Sequence, residues 1–107
     1  MKLMVAIINN DDIKQVTKSL IKNKVYSTKL SSTGNFLMSG NTTLLIGCED
    51  DQIEFILDII KENAKQRKKM ITPTYSQNMG MFAATPVEVV VGGATVFILN
   101  VEQFHKL

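Results

Sequence analysis

The sequence has little of the chemistry on which catalytic and metal sites depend. Its 107 residues include one cysteine, one histidine and no tryptophan. His105 has no cysteine or second histidine at metal-ligand spacing, and Cys48 ends an apolar run, where an inert buried thiol is the common case. The acidic pair Asp50 and Asp51 lies at a predicted helix start, where capping accounts for it. We therefore expect no enzyme activity, no metal and no cofactor.

An excess of charge and a long apolar run are also missing. The formal net charge is +2, too small for the dense basic stripe that binds a nucleic acid polymer. The longest apolar run, residues 3–8, is far below the roughly 18 residues of a membrane-spanning helix. With one cysteine and no signal-peptide pattern, these absences predict a cytoplasmic protein without a membrane or nucleic acid polymer as partner. The small net charge is compatible with a small anionic ligand, because one or two hydrogen-bond donors can bind it.

The composition is that of an ordinary globular protein. Hydrophobic residues make up 45% of the chain and charged residues 21%, and the length suits one domain around one core. We expect residues 1–107 to form a single domain. Its predicted elements, in chain order, are a strand over 2–8, a helix from 13 to about 23, strands over 25–33 and 42–47, and a helix over 51–64.

Both predicted helices have an apolar stripe and a capping signal at the start. Asn10, Asp11 and Asp12 precede the first helix, and Asp51 and Glu54 have the spacing of a capping box before the second. The stripe residues are Ile13, Val16, Leu20 and Ile21 in the first helix, and Ile53, Ile56, Leu57, Ile60 and Ala64 in the second. Helices of this kind cover one face of a sheet.

Two β-prone runs near the end of the chain, 87–91 and 94–101, are separated by Gly92 and Gly93. This pattern predicts a tight hairpin, because such turns favour residues with positive φ. The predicted fold class is therefore α+β, a ferredoxin-like (βαββαβ) arrangement with a C-terminal hairpin extension.

The two helices can cover only one face of this sheet. Residues 2–8 are apolar on both sides, with Leu3, Val5 and Ile7 alternating with Met4, Ala6 and Ile8, and the predicted hairpin is also apolar on both sides. A monomer would expose a large apolar patch. We therefore expect self-association, most simply as a closed ring.

Residues 66–85 show neither strand nor helix periodicity, and this length is unusual for a simple connection. The segment begins with the basic run 67–69 and later contains Met79, Met81 and Phe82. We predict a poorly ordered loop or lid. The three apolar side chains fit either packing onto the domain or an adaptable contact with a partner.

The segment 28–37 contains several parts that suit a nucleotide. Hydroxyls from Thr28 onward and the bare backbone at Gly34 can hold a phosphate, while Phe36 and Leu37 offer a base an apolar surface. The same composition also fits a plain hairpin tip at Gly34 and Asn35 that is anchored by Phe36. Composition alone leaves both interpretations open.

Two separated motifs resemble the cyclic-di-AMP receptors of the PII-like family. They comprise Thr33, Gly34, Phe36, Leu37, Gly40, Asn41, Thr42, Thr43 and Gly47, and later residues 86–89, 91–97, 104 and 105. The resemblance covers nearly the whole chain, except that 66–85 match poorly. It implies a homotrimer of ferredoxin-like subunits that binds one cyclic-di-AMP at each subunit seam. It also implies mobile loops that pass the signal to a downstream protein, which the sequence does not identify.

The resemblance also implies which residues bind the ligand. By matching position, Thr28 and Asn41 are polar contacts, Gly34, Asn35, Phe36 and Leu37 form a loop around an adenine, and Gly47 is a point of close approach. Tyr26 stands where family members commonly have arginine. A tyrosine there retains stacking and one hydrogen bond but loses the positive charge. Three further positions depart from the family pattern, with Lys24 in place of Asn, Asn35 in place of Gly and Met38 in place of Arg.

Three other functions leave weaker traces. A ferredoxin-like phosphate-ester or acylphosphate hydrolase needs an arginine in a phosphate loop at a helix N-terminus, whereas Arg67, the single arginine, follows a predicted helix. RNA binding on an open sheet needs aromatic residues on the central strands, where this chain has Leu, Ile and Val. A PII-type regulator that binds ATP inserts a long signalling loop, for which 34–40 leaves little room.

Overall fold

The computed structural model describes residues 1–30, 40–71 and 86–107. Its elements are β1 (Lys2–Asn9), α1 (Ile13–Lys22), β2 (Thr28–Leu30), β3 (Asn41–Cys48), a 3₁₀ turn (Asp50–Gln52), α2 (Ile53–Asn63), β4 (Arg67–Ile71), β5 (Val87–Val91) and β6 (Ala94–Asn100). No helix among these described residues is long and apolar enough to cross a membrane.

Four strands form an antiparallel sheet in the order β2-β3-β1-β6. The two-sided apolar run becomes the central strand β1, which pairs with β3 on one edge and β6 on the other. With β6 as its last strand, this order is that of the ferredoxin-like fold, so the predicted α+β fold class is confirmed. The second strand begins later than expected, at Thr28, and its described part is Thr28–Leu30. Residues 31–39 lie outside the described residues.

The helices cover one face of this sheet. Met4, Ala6 and Ile8 of β1 have no exposed surface, and they share one core with the buried residues of β3, α1 and α2. The largest side chains in that core that are fully buried are Met4, Ile8, Val16, Leu20, Leu44, Ile46, Ile56 and Ile60. Burial of each such side chain contributes about 1.5–3 kcal/mol.

The first helix confirms most of its predicted stripe. Ile13, Val16 and Leu20 are buried, but Ile21 is 63% exposed. Each helical residue turns by about 100°, which places Ile21 beyond the buried arc shared by the other three. Asp12 occupies the capping position without a side-chain cap hydrogen bond.

The second helix begins through a different cap from the one expected. The predicted box of Asp51 and Glu54 is wrong, because a 3₁₀ turn precedes the helix and moves the cap two residues earlier. The Glu49 N–H donates to Gln52 Oε1 over 2.9 Å. Ile56, Ile59, Ile60 and Ala64 are buried, and Ile53 and Leu57 pack against them.

The predicted pairing of the last two runs is wrong. The strands β5 and β6 exist, but β5 pairs with β4 and β6 pairs with β1. Gly92 and Gly93 have φ of 81° and 76°, so the expected backbone conformation is present and forms a corner between two sheets. The edge of β1 that β3 does not occupy is an alternative partner for β6. β6 pairs with this edge, and not with β5, over seven residue pairs.

The segment 66–85 also contains a strand that its sequence does not suggest. Arg67–Ile71 pair with Val87–Val91 in a separate two-stranded sheet. The basic run hides the strand, because three consecutive charged residues break the apolar alternation that marks strands. Residues 72–85, with Met79, Met81 and Phe82, lie outside the described residues.

Candidate functional site

The sheet face opposite the helices carries three of the eight predicted ligand contacts. Residues directly opposite each other in an antiparallel pair point to the same side. Three rows across β3, β1 and β6 therefore share this side, namely Gly47–Leu3–Leu99, Leu45–Val5–Phe97 and Thr43–Ile7–Thr95. Thr28 and Leu30 of β2 add to it opposite Leu45 and Thr43. We call this surface the open face, because no helix among the described residues packs on it.

Three predicted site residues lie on or beside the open face. Thr28 is exposed next to Leu45, and Gly47 is exposed two residues further along β3. Asn41 begins β3 on the same side by alternation, and it already takes part in a polar contact within the chain. The fold therefore brings together residues that are separated by up to 19 positions.

The remaining predicted site residues are not assigned to the open face. Tyr26 lies before β2 with 76% of its surface exposed, so its ring is free to meet another molecule. Gly34, Asn35, Phe36 and Leu37 lie outside the described residues.

The open face is apolar around these polar positions. Leu3, Val5 and Ile7 are half-buried, whereas Phe97 is 55% exposed and Leu99 48%. An exposed phenylalanine beside leucine and valine is an unusual surface for a protein in water. Phe97 was missed as a candidate because its run is apolar at nearly every position, which gives no indication of its side.

Thr43 is a second residue that sequence reasoning missed. It is 4% exposed, and its Oγ1 is the one buried side-chain oxygen or nitrogen in the described part of the chain without a hydrogen-bond partner. Buried hydroxyls are nearly always paired, since an unpaired one costs about 1–3 kcal/mol. Alternation with Asn41, Leu45 and Gly47 is the sequence signal that could have found it.

The two glycines at the ends of β3 have different reasons to be glycine. Gly40 has φ of 89°, a conformation that glycine adopts without strain. At Gly47 a Cβ would meet only Met1 Cε, at 3.6 Å, which is ordinary contact. The described residues therefore leave room for a side chain at Gly47 and give no reason of their own for glycine there.

Cys48 lies away from the open face, and His105 belongs to the exposed C-terminal segment. Cys48 is buried on the helix-covered side, and burial raises the pKa of its thiol, with smaller contributions from Asp50 and Glu49. A raised pKa lowers the thiolate fraction that nucleophilic chemistry needs. His105 is exposed with a ring nitrogen 3.0 Å from Gln103 Oε1. Among the described residues no group of three or more His, Cys, Asp or Glu side chains could hold a metal ion.

A cavity of about 500 Å³ lies on the helix-covered side, away from the predicted site residues. It is lined by Leu57, Ile60, Lys61, Ala64, Lys65, Gln66, Gly93, Ala94 and Val96. Apart from Gln66 and two lysines its lining is apolar, so it lacks the hydroxyls and asparagine that the open face provides.

Two comparisons with known proteins bear on the fold and the family. The crystal structure of a functionally unknown protein from Pediococcus pentosaceus is similar, with 40% sequence identity and a TM-score of 0.73, over 99% of this chain and 96% of that one. A family model described as cyclic-di-AMP receptor matches residues 1–107. The match spans the whole sequence, including both motifs and the segment between them. The chain therefore belongs to the cyclic-di-AMP receptor family.

Proposed function

We propose that this protein is a cytoplasmic receptor that binds cyclic-di-AMP at the subunit seams of a homotrimer and signals to a protein partner through its loops, without catalysing a reaction. The observation that carries the proposal is the joint position of Thr28, Asn41 and Gly47 on one apolar face, on which no described helix packs. Family membership supports the choice of ligand.

The chemistry of the open face suits a cyclic dinucleotide. Each adenine needs an apolar surface for stacking, worth about 1–3 kcal/mol on an aromatic side chain, and Phe97 and Tyr26 are exposed rings. Phosphate oxygens need donors, which the hydroxyls of Thr28 and Thr43 can provide. The exposed Thr28 hydroxyl is directly accessible to a ligand. Thr43 Oγ1 is buried and unpaired, so a local rearrangement must expose it before a ligand can become its partner.

The exposed apolar side chains support the homotrimer. Leu30, Phe97 and Leu99 are each at least 41% exposed, beside the half-buried row of β1. A closed ring of subunits would remove this surface from water, and a ligand at a seam would then contact two subunits. Gly47 also fits this arrangement, since its lack of a side chain serves no contact with the described residues.

The departures from the family pattern bear on affinity. Tyr26 provides an exposed ring and one hydroxyl, but it cannot form the paired charged hydrogen bonds of an arginine with phosphate. Lys24 does not replace that charge at an adjacent strand position, because it lies in the turn after α1 with φ of 61°. The proposal therefore expects binding that depends on stacking more than on charge.

The decisive experiment is calorimetric titration of the protein with cyclic-di-AMP, cyclic-di-GMP and ATP in parallel. Selective binding of cyclic-di-AMP, with one site per subunit and a trimeric mass by light scattering, is the expected result. Tight binding of ATP without binding of cyclic-di-AMP would overturn the proposed ligand in favour of a PII-type regulator. A monomeric mass at micromolar concentration would refute the seam site.

A further inference from the structure

An ion pair joins the start of the first helix to the base of the β4–β5 hairpin. The Asp12 side chain is 5% exposed, and Arg67 Nη1 lies 3.1 Å from its Oδ1 and 3.2 Å from its Oδ2. The same nitrogen donates to the Lys65 carbonyl oxygen over 3.2 Å. A carboxylate as buried as that of Asp12 needs such a cation, because burial of an unpaired charge is very unfavourable.

Gly92 closes over this pair from the other strand of the hairpin. A Cβ at Gly92 would lie 2.5 Å from the Lys65 carbonyl oxygen, 2.6 Å from Arg67 Nη1 and 3.2 Å from Asp12 Oδ2. Arg67 is the first residue of β4 and Gly92 directly follows β5. Both strands of the hairpin therefore meet the rest of the protein beside the Asp12–Arg67 pair.

The hairpin has few other means of support among the described elements. β4 and β5 make most of their contacts with each other and few with any other helix or strand. An isolated two-stranded sheet is only marginally stable in water. The position of the hairpin relative to the main sheet therefore depends strongly on the Asp12–Arg67 pair.

The turn that carries Asp12 is attached at its other end to the predicted ligand site. The Asn10 N–H donates to the Gly40 carbonyl oxygen over 2.8 Å, and Thr42 Oγ1 donates to Asn10 Oδ1 over 2.5 Å. Gly40 and Thr42 are the two neighbours of Asn41 in the sequence. The turn, residues 9–12, thus connects the edge of the candidate site with the base of the hairpin.

We infer that the Asp12–Arg67 pair couples occupancy of the open face to the position of the β4–β5 hairpin. This inference rests on the proposed function, because it takes cyclic-di-AMP as the ligand that shifts Gly40 and its neighbours. A small displacement of the turn carries the buried carboxylate with it, and the hairpin follows as a unit about the Gly92–Gly93 corner. Asp12 and Arg67 act as positioning residues and do not touch the ligand.

The first test uses the free protein and amide hydrogen exchange in β4 and β5. Arg67→Gln should speed exchange there about tenfold or more, because it leaves a buried carboxylate unpaired, while β1 and β3 keep their wild-type rates. Asp12→Asn should have a smaller effect, since Arg67 is 45% exposed and can be hydrated. Lys68→Gln is the matched control, because its exposed partner Glu88, 3.4 Å away, belongs to the same hairpin. Wild-type rates in the hairpin of Arg67→Gln and Asp12→Asn would overturn the inference.

The second test adds cyclic-di-AMP at saturating concentration. In the wild type and in Lys68→Gln, we expect ligand to change hairpin exchange. In Arg67→Gln and Asp12→Asn, ligand should still bind, within about tenfold of wild-type affinity, but hairpin exchange should no longer respond. A response that survives in Arg67→Gln, or is missing from the ligand-bound wild type, would overturn the coupling. Failure of the wild type to bind the ligand would overturn the proposed function and the coupling, whereas the free-protein comparison would still decide whether the pair anchors the hairpin.

Discussion

The two faces of the four-stranded sheet have nearly the same composition along β1 but differ in burial. Met4, Ala6 and Ile8 are completely buried under the helices, whereas Leu3, Val5 and Ile7 on the other side stay half-buried. Similar side chains therefore serve different purposes. One set forms the core of the subunit, and the other belongs to a face on which no described helix packs.

Polar atoms differ between the two faces in the same way. The open face has Thr28, Asn41 and the unpaired Thr43 hydroxyl, whereas the buried layer of β3 on the helix side consists of Leu44, Ile46 and Cys48. The polar positions would weaken a core, so their presence is informative about binding. Variants that affect one face and spare the other test this comparison directly.

The largest expected effect is loss of ligand binding in Gly47→Val. The variant should fold normally, because a Cβ at this position makes only ordinary contact with Met1 Cε inside the subunit. Its branched side chain should exclude cyclic-di-AMP from the open face, so that calorimetry detects no binding. Cys48→Val, the next residue on the covered face, is the control and should bind normally. Unchanged affinity in Gly47→Val would mean that the site lies elsewhere.

The adjacent leucines of β3 provide a matched pair for stability. Leu44→Ala should lower the free energy of unfolding of the subunit by about 2–5 kcal/mol, because Leu44 is fully buried in the core. Leu45→Ala should destabilise the isolated subunit much less but weaken the proposed trimer, since Leu45 is half-buried on the open face. Chemical denaturation and light scattering on the same samples measure both quantities. Equal destabilisation of the subunit by both variants would contradict the division between the two faces.

Asn41→Ala should weaken binding without abolishing it. Removal of the amide leaves a polar group of the ligand unpaired, which costs about 1–3 kcal/mol, or roughly tenfold or more in affinity. Asn41 also makes a polar contact within the chain, so melting temperature and affinity must be measured together. A fall in melting temperature with unchanged affinity would assign Asn41 to the turn alone.

Thr43→Val should shift stability and affinity in opposite directions. Valine has nearly the same shape and removes a buried hydroxyl that has no partner in the subunit, so the free protein should gain roughly 1 kcal/mol. Affinity for cyclic-di-AMP should fall, because the proposed donor is gone. Thermal melts with and without ligand separate the two effects, and a loss of stability in the free protein would contradict the unpaired state of the hydroxyl.

The smallest expected effect lies outside both faces. Lys24→Asn should raise the free energy of unfolding by about 0.5–1 kcal/mol, because Lys24 has φ of 61°, a conformation that asparagine tolerates better. Ligand affinity should stay within error of the wild type. A marked loss of affinity would show that Lys24 supplies the charge that Tyr26 lacks.

Much of the fold was predictable because burial periodicity is a local property. The stripes at Ile13, Val16 and Leu20 and at Ile56 and Ile60 correctly indicated two helices that cover a sheet. The errors concern contacts between distant segments. Nothing local to 67–71 reveals pairing with 87–91, and the glycine pair at 92 and 93 specifies a backbone conformation but not which strands lie on either side of it.

The candidate site was predictable in part. Resemblance supplied Thr28, Asn41 and Gly47, and their shared face follows from strand pairing. Thr43 and Phe97 were missed because a buried hydroxyl and an exposed aromatic become unusual only when their surroundings are known. Asp12 and Arg67 are separated by 55 positions. In the sequence Asp12 is explained as a helix cap and Arg67 as part of a basic run, so neither residue indicates the other as its partner.

The sequence by itself determined the periods of the helices, the two-sided apolar character of β1 and the resemblance of two motifs to one family, because each is carried by residues close together in the chain. The tertiary structure alone decided that β6 pairs with β1, that Arg67 meets Asp12, and that one apolar row of β1 is buried while the other is not. These outcomes depend on competition among distant strands for the same edges and on which face two helices cover, and no local pattern records the result of that competition.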